Sequence, residues 1–199
     1  MWYDADMARP REFDETEALS GAMNAFWTNG YDGTSIPDLL QATGLSRSSL
    51  YETFGDKAAL FEAATDLYFQ TLGQPRVEAL RRATSAKQGL RRFFDLQIAS
   101  CLDPKSPKGC LLTNTCTSLP SHEPKIEDLL RKSNRLFRAE LQALLVRGQQ
   151  AGEIPRDRDV ESLSHMLMAV SFGLNVAARV DPDRRSLQAM ANAALKAIE

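Results

Sequence analysis

Apolar residues recur every three or four positions along most of this chain of 199 residues, which is the period of helices that bury one face. Residues 160–180 are apolar on almost every side, which predicts a helix buried all round. Strand-type alternation is nearly absent. Prolines separate the periodic segments at Pro75, Pro104, Pro107, Pro120, Pro124, Pro155 and Pro182. The pattern predicts an all-α protein of about nine helices.

The composition excludes several classes of protein. The chain is 43% hydrophobic and 25% charged with a net charge of −2, so neither a disordered chain nor a uniformly basic nucleic-acid coat is expected. No run reaches the roughly 18 to 20 apolar residues of a membrane span, and residues 1–6 do not resemble a signal peptide. The three cysteines, an odd number, form no disulfide framework. We expect a cytoplasmic protein without membrane association.

Residues 34–57 differ from the rest because they hold short helical pieces between tight breaks. Thr34–Ser35 offers an N-cap, and Gly44 follows where a helix C-cap favours glycine. Ser46 is placed to cap a second short helix, and Asp56 to cap a longer third one. A helix, a turn of about three residues and another helix form a helix-turn-helix arrangement. With the amphipathic helix before it, the segment predicts a three-helix DNA-binding head.

Four runs of this sequence resemble the DNA-binding domain of TetR-type transcriptional repressors. They are ARPREFD (8–14), FWTNGYDGTSI (26–36), GLSRSSLY (44–51) and FGDKAALF (54–61). The resemblance implies a homodimer that binds double-stranded DNA at a palindromic operator. It also implies that a small-molecule inducer entering a second helical domain releases the DNA. A repressor with no ligand is the alternative.

The resemblance divides the chain into three parts: an N-terminal arm (1–8), a helix-turn-helix DNA-binding domain (9–69) and a helical ligand-binding and dimerisation domain (70–199). We expect the helix at 57–72 to be the only one that contacts both domains. Residues 1–60 contain four basic and ten acidic groups, a net charge of −6. The acidic groups must therefore lie away from the DNA, and non-specific binding should be modest.

The candidate DNA contacts lie at the amino ends of the second and third helices. A recognition helix presents small polar and cationic groups to the base edges, and a helix amino terminus suits a phosphate. Arg47 is suited to a guanine edge or a phosphate. Tyr51 and Lys57 match family positions that hold the DNA backbone. Capping or solvation of these side chains is the alternative. The predicted contacts are Thr34, Ser35, Ser46, Arg47, Ser48, Ser49, Tyr51 and Lys57.

Two long helices are predicted at residues 125–149 and 160–180. The first would span about 37 Å, and both could pair with their copies in a four-helix bundle. A symmetric DNA-binding protein needs two heads about 34 Å apart, or a multiple of that distance. We therefore favour a homodimer, with a monomeric core as the alternative.

The candidate inducer pocket combines apolar walls with isolated polar groups, as small-molecule sites do. Asn175 is its leading polar candidate, although this amide could instead bond a neighbouring helix. Most of the phenylalanines could be ordinary core. The candidate ligand-binding residues are Phe69, Phe93, Phe94, Gln97, Leu112, Asn114, Phe137, Met166, Phe172 and Asn175.

Cys110 is a candidate redox or electrophile sensor. The run GCLL (109–112) is predicted to open a helix after a lysine-rich loop, and both features lower the pKa of a thiol. The run also resembles one in TetR-type proteins that respond to reactive compounds. An inert buried cysteine is the alternative.

An enzyme is the competing class of function, with Cys110 and His122 as the one conceivable nucleophile–base pair. The sequence holds no HExxH, no GxSxG and no phosphate-binding glycine loop, so we expect no enzyme. Neither a CxxC nor an HxxxH spacing occurs among Cys101, Cys110, Cys116, His122 and His165. No metal site and no cofactor are therefore expected.

Overall fold

The computed structural model describes residues 14–118 and 123–199. The predicted arm (1–8) and His122 lie outside these residues. Within them the secondary structure is helical, which confirms the all-α prediction. The helices are α1 (Glu15–Asn29), α2 (Ile36–Thr43), α3 (Arg47–Phe54), α4 (Lys57–Tyr68), α5 (Gln74–Arg81), α6 (Ala86–Leu102), α7 (Leu111–Ser118), α8 (Pro124–Gln150), α9 (Val160–Val180) and α10 (Arg184–Ala197).

Pro75 does not separate two helices, contrary to the sequence prediction. α4 continues through a single π-helical turn, Phe69–Gly73, directly into α5. Pro75 lies in the first turn of α5, where a missing backbone N–H is tolerated. Gly73 allows a close contact in this turn, because a Cβ there would lie 2.6 Å from Cδ2 of Phe69. Counted as one rod, α4 and α5 bring the described helices to nine. The predicted boundary at 69/70 falls within this rod.

The short helices of the head begin and end at the predicted caps. The side chains of Ser35, Ser46 and Asp56 accept hydrogen bonds from backbone N–H groups in the first turns of α2, α3 and α4. Gly44 ends α2 with φ +69°, the left-handed conformation that glycine adopts without strain. Each cap contributes about 1 kcal/mol. Local sequence therefore specifies the helix-turn-helix.

Aromatic side chains of α1 and α4 fill the core of the head. The rings of Phe26 and Phe61 meet edge to face with centroids 5.0 Å apart, and those of Trp27 and Tyr68 do so at 4.9 Å. Leu111 from α7 belongs to the same buried cluster, as do Ile126 and Leu130 from α8. α1 also packs directly against α7. The prediction that only the helix at 57–72 contacts both domains is therefore wrong.

A second buried cluster joins α6, α8, α9 and α10. By length and composition α9 is a helix that could cross a membrane. Its side chains from Leu167, Leu174 and Ala178 are instead buried within this cluster. A core helix of a folded domain meets the same criteria of length and composition, but α9 buries only one side, and its Val176 and Val180 are 43% and 84% exposed. The prediction of a helix buried all round is therefore wrong.

Candidate DNA-binding face and ligand cavity

The amino end of α3 presents a polar, exposed surface. Ser46, Arg47 and Ser48 are exposed, and Tyr51, one turn later, is 42% exposed. The Ser46 hydroxyl lies 3.0 Å from that of Ser48. Leu50 is fully buried beneath this surface and anchors the helix. The structure thus brings Ser46, Arg47, Ser48, Ser49 and Tyr51 to one end of one helix, while their contact with DNA stays a prediction.

The side chain of Thr34 is turned inward, which corrects its assignment as a phosphate contact. Thr34 is fully buried, and its hydroxyl donates to the carbonyl oxygen of Gly30 at 2.7 Å. The neighbouring Ser35 is exposed and forms a reciprocal capping box with Asp38. The hydrogen bonds from Ser35 hold the pKa of Asp38 below its usual value. Ser35 therefore stays a candidate contact, whereas the Thr34 hydroxyl forms a hydrogen bond within the head.

The side chain of Lys57 packs over the ring of Tyr31. Its ammonium lies 4.2 Å from the ring centroid of Tyr31, and burial lowers its pKa while Asp32 and Glu123 act in the opposite direction. The Tyr31 phenol donates a hydrogen bond to the carboxylate of Glu123, the N-cap residue of α8. A cation–π contact and a nearby carboxylate thus restrict a side chain that the sequence assigned to the DNA backbone.

A cavity of about 1000 Å³ lies between the head (α1–α4) and the remaining helices, which form the body (α5–α10). Its volume is at the upper end of those typical of ligand sites. α4 and α5 contribute one side of its lining, and α8 another. Residues of α6, α7 and α9 complete it. Seven of the ten predicted ligand residues line this cavity, as does Cys110: Phe69, Phe93, Gln97, Leu112, Phe137, Phe172 and Asn175.

The other three predicted ligand residues lie elsewhere, and we correct the pocket accordingly. Phe94 is buried in the core of the body, with its ring edge-on to Phe93. The Asn114 amide donates to the carbonyl oxygens of Trp27 and Lys108, so it joins α7 to α1 and to the preceding loop. Met166 packs half-buried against the body cluster. Helical periodicity marks a buried face, but it does not distinguish a cavity wall from solid core.

The predicted polar groups of the cavity bond one another. The Gln97 amide donates to the carboxamide oxygen of Asn175 at 2.9 Å and to the carbonyl oxygen of Ser171 at 2.7 Å. The Asn175 amide donates to the hydroxyl of Thr113 at 3.2 Å. Cys101 donates to Asn175 as well, and burial raises the pKa of its thiol to about 11. This network joins α6, α7 and α9, so Asn175 has the role that the sequence left as the alternative.

The polar residues of the cavity lining that the sequence did not predict include Thr65 and Tyr68, which are buried. They lie three positions apart on α4, and thus on one face, in a pattern that reads as ordinary core. Their hydroxyls are buried and have no hydrogen-bond partner. The sequence does not indicate that these hydroxyls lack partners, because any partner would belong to a helix distant in the chain.

Comparison with known proteins agrees with this architecture. The family of bacterial regulatory proteins called tetR matches residues 18–64, and the tetracyclin repressor-like C-terminal domain matches residues 86–194. The chain belongs to the TetR family. The two TetR matches correspond to the head and to most of the body.

Relatives of full length support the assignment to TetR regulators. The HTH-type transcriptional repressor ComR of Escherichia coli is 33% identical over 94% of this chain and 90% of its own length. The HTH-type regulator YezE of Bacillus subtilis is 29% identical over 97% of this chain and 100% of its own. A cysteine mutant of the TetR regulator CifR, solved with 26-bp operator DNA, superposes with a TM-score of 0.87. It is 31% identical, with 96% of this chain and 100% of that one covered.

The TetR assignment decides between the classes of function left open by the sequence. The chain is a ligand-responsive DNA-binding transcriptional repressor and not an enzyme. The predicted nucleophile–base pair of Cys110 and His122 includes a residue outside the described part of the chain.

Proposed function

We propose that this repressor binds a palindromic operator as a homodimer and is released when an apolar inducer occupies the cavity between head and body. The observation that carries the proposal is the composition of the cavity wall. α4 belongs to the head, and α8 spans the body, yet both line the same cavity. A ligand there contacts both parts at once.

Two contacts join the amino end of α8 to the head. Glu123 accepts a hydrogen bond from Tyr31, and the Lys125 ammonium lies 3.6 Å from the carboxylate of Asp56, the residue that caps α4. A ligand that separates α4 from α8 therefore moves the head relative to α8. Release requires an inducer that binds the moved arrangement better than the DNA-bound one, by about 5.5 kcal/mol for a nearly complete switch.

An apolar face shared by α8 and α9 supports the homodimer. Leu136 is 60% exposed on α8, and Val176 and Val180 are 43% and 84% exposed on α9. Small residues at helical spacing continue both stripes, with Ala139 and Ala143 on α8 and Ala169 and Gly173 on α9. Two such helices pack against their copies as a four-helix bundle, which buries side chains that water otherwise surrounds.

Fluorescence polarisation with labelled DNA from upstream of the protein's own gene tests the proposal. Protection mapping should locate a palindromic site, and unlabelled DNA of that sequence should compete far better than scrambled DNA. Apolar compounds that raise the melting temperature of the free protein should also release the DNA. The absence of any sequence preference would contradict operator binding, and ligands that stabilise the protein without releasing DNA would contradict the switch.

A thiol-based response is the second candidate function, and the position of Cys110 favours it. Cys110 lies in the cavity lining at the start of α7, where its carbonyl oxygen accepts a bond from Asn114. An electrophilic inducer would form a carbon–sulfur bond to Cys110, and the thiol proton would pass to the adduct or to solvent. A CifR protein with three substituted cysteines was solved in complex with operator DNA, so that relative binds DNA without those three thiols.

A further inference from the structure

Two unpartnered hydroxyls distinguish one part of the cavity from the rest. Four buried side-chain polar groups in the described part of the chain lack a hydrogen-bond partner: Trp27 Nε1, Thr65 Oγ1, Tyr68 Oη and Ser100 Oγ. Of these residues only Thr65 and Tyr68 line the cavity. They are 7% and 4% exposed. Buried polar groups in folded proteins are almost always bonded, so this pair requires an explanation.

Three other buried polar residues of the cavity differ from this pair, because they are hydrogen-bonded to one another. Gln97, Ser171 and Asn175 satisfy one another across α6 and α9, so a ligand would have to break existing bonds to reach them. The hydroxyls of Thr65 and Tyr68 form no hydrogen bond that a ligand would have to break. A ligand that pairs with them gains a partner that the protein alone does not supply.

The chemistry around this pair favours an oxygen that accepts hydrogen bonds. Burial raises the pKa of the Tyr68 phenol well above its usual value, so the phenol stays protonated and acts as a donor. Among the charged side chains, the Arg76 guanidinium acts on this phenol with its positive charge. The nearby Cys110 thiol acts in the opposite direction and raises the pKa of the phenol further. The protonated phenol is therefore a hydrogen-bond donor with one cation nearby, while four carboxylates also line the cavity: Glu62, Asp66, Asp128 and Glu140.

Four phenylalanine rings form an apolar part of the cavity wall. Phe69, Phe93, Phe137 and Phe172 line the cavity, and the rings of Phe93 and Phe137 are stacked with centroids 5.3 Å apart. Flat apolar rings of this kind bury the body of an aromatic ligand. Together, the hydroxyls of Thr65 and Tyr68 and these rings favour a ligand with one oxygen-bearing end and one apolar end.

We infer that Thr65 and Tyr68 form the polar subsite of the inducer cavity and bind the acceptor oxygen of a small aromatic carbonyl or carboxylate compound. The inference rests on the proposed function of the cavity as the inducer site. It goes further by naming the anchoring residues and the chemical class of the ligand. Ordered water bonded to both hydroxyls is the competing occupant.

Three probes of similar shape separate these cases. Acetophenone carries a carbonyl oxygen, benzoate carries a carboxylate, and ethylbenzene carries no oxygen. Binding of each to the full-length protein is measured by isothermal titration calorimetry without DNA. The comparison is repeated in the double variant Thr65→Val, Tyr68→Phe, which removes both hydroxyls and keeps the shape of both side chains.

The wild type should bind acetophenone or benzoate about tenfold more tightly than ethylbenzene. The double variant should lose that preference and bind ethylbenzene at least as well as the wild type does. Preference for benzoate would identify the carboxylate form of the ligand, and preference for acetophenone the carbonyl form. Equal binding of all three probes, no binding of any at millimolar concentration, or an unchanged preference in the double variant would each overturn the inference.

Thr115→Val is the matched control. Thr115 is also buried on a helix, but its hydroxyl donates to the carbonyl oxygen of Leu111 and it is not among the residues that line the cavity. This variant should keep the wild-type preference among the probes. These titrations contain no DNA, so they test the subsite independently of operator binding. A negative titration result would not contradict operator binding, and a protein that binds no operator could still be titrated with the probes.

Discussion

The phenol of Tyr31 in the head donates a hydrogen bond to the carboxylate of Glu123, the N-cap residue of the longest body helix. The two residues are 92 positions apart in the chain. The same Tyr31 ring lies under the ammonium of Lys57. One side chain thus links the start of α4, the start of α8 and the end of α1, where the head meets the body.

Removal of the Tyr31 hydroxyl should weaken this junction without altering the DNA-binding face. Tyr31→Phe keeps the ring under Lys57 but leaves Glu123 without its donor. We expect the free energy of unfolding to fall by about 1 to 3 kcal/mol, measured by urea denaturation. Affinity for operator DNA should change little, because Tyr31 is buried.

Tyr51→Phe is the control for the Tyr31 variant and should behave in the opposite way. Tyr51 is 42% exposed beside Arg47 on α3, so loss of its hydroxyl should leave stability unchanged and lower the affinity for every DNA sequence. Equal stability of Tyr31→Phe and wild type would show that the bond to Glu123 contributes nothing.

Arg47→Ala should lower operator affinity and relax sequence preference. If Arg47 bonds a guanine edge, the loss amounts to about 1 to 3 kcal/mol at that base pair. Polarisation titrations against operators with single base changes measure it. Arg156→Ala, an exposed arginine in the loop between α8 and α9, should retain wild-type binding. An Arg47→Ala protein with unchanged affinity and preference would refute this docking of α3.

Val176→Glu should convert the homodimer to a folded monomer. Light scattering of the wild type at micromolar concentration should give about twice 22.1 kDa. A charge at Val176 would be buried without a partner only in the dimer, so helicity should persist while the mass halves. Ala189→Glu, exposed on α10, should remain dimeric. Leu174 is unsuitable for this test because it is buried in the monomer.

Cys110→Ser should keep operator binding and should still be released by the compounds that release the wild type. The reason is that the cavity offers apolar and hydrogen-bonding contacts that need no covalent bond. Cys116→Ser, at an exposed thiol, is the control. A Cys110→Ser protein that stays on its operator at inducer concentrations that free the wild type would establish the thiol as the sensor.

Cys101 should make the protein less stable in alkali. Its folded pKa is about 11, above that of an exposed thiol, about 8.5. Between these values the unfolded chain loses the proton and the folded protein keeps it. The free energy of unfolding should therefore fall as the pH rises through this window, with a slope near 1.4 kcal/mol per pH unit. Cys101→Ala should show a shallower decline by that amount, and identical slopes would contradict the assignment.

The head is the part of this protein that its sequence specifies most directly. Ser35, Gly44, Ser46 and Asp56 act within a few residues of their own positions, so their spacing predicts helices α2 to α4 and the order of the motif. Such local effects are visible in a sequence without knowledge of its tertiary contacts.

Only the tertiary structure decided which polar side chains have partners. Thr34 turns inward to Gly30, and Asn175 bonds Gln97 from a position 78 residues away. Thr65 and Tyr68 occupy equally buried positions and meet no partner. A sequence pattern reports whether a helix face is apolar. The packing of helices from distant parts of the chain determines whether a hydroxyl on that face meets a hydrogen-bond partner.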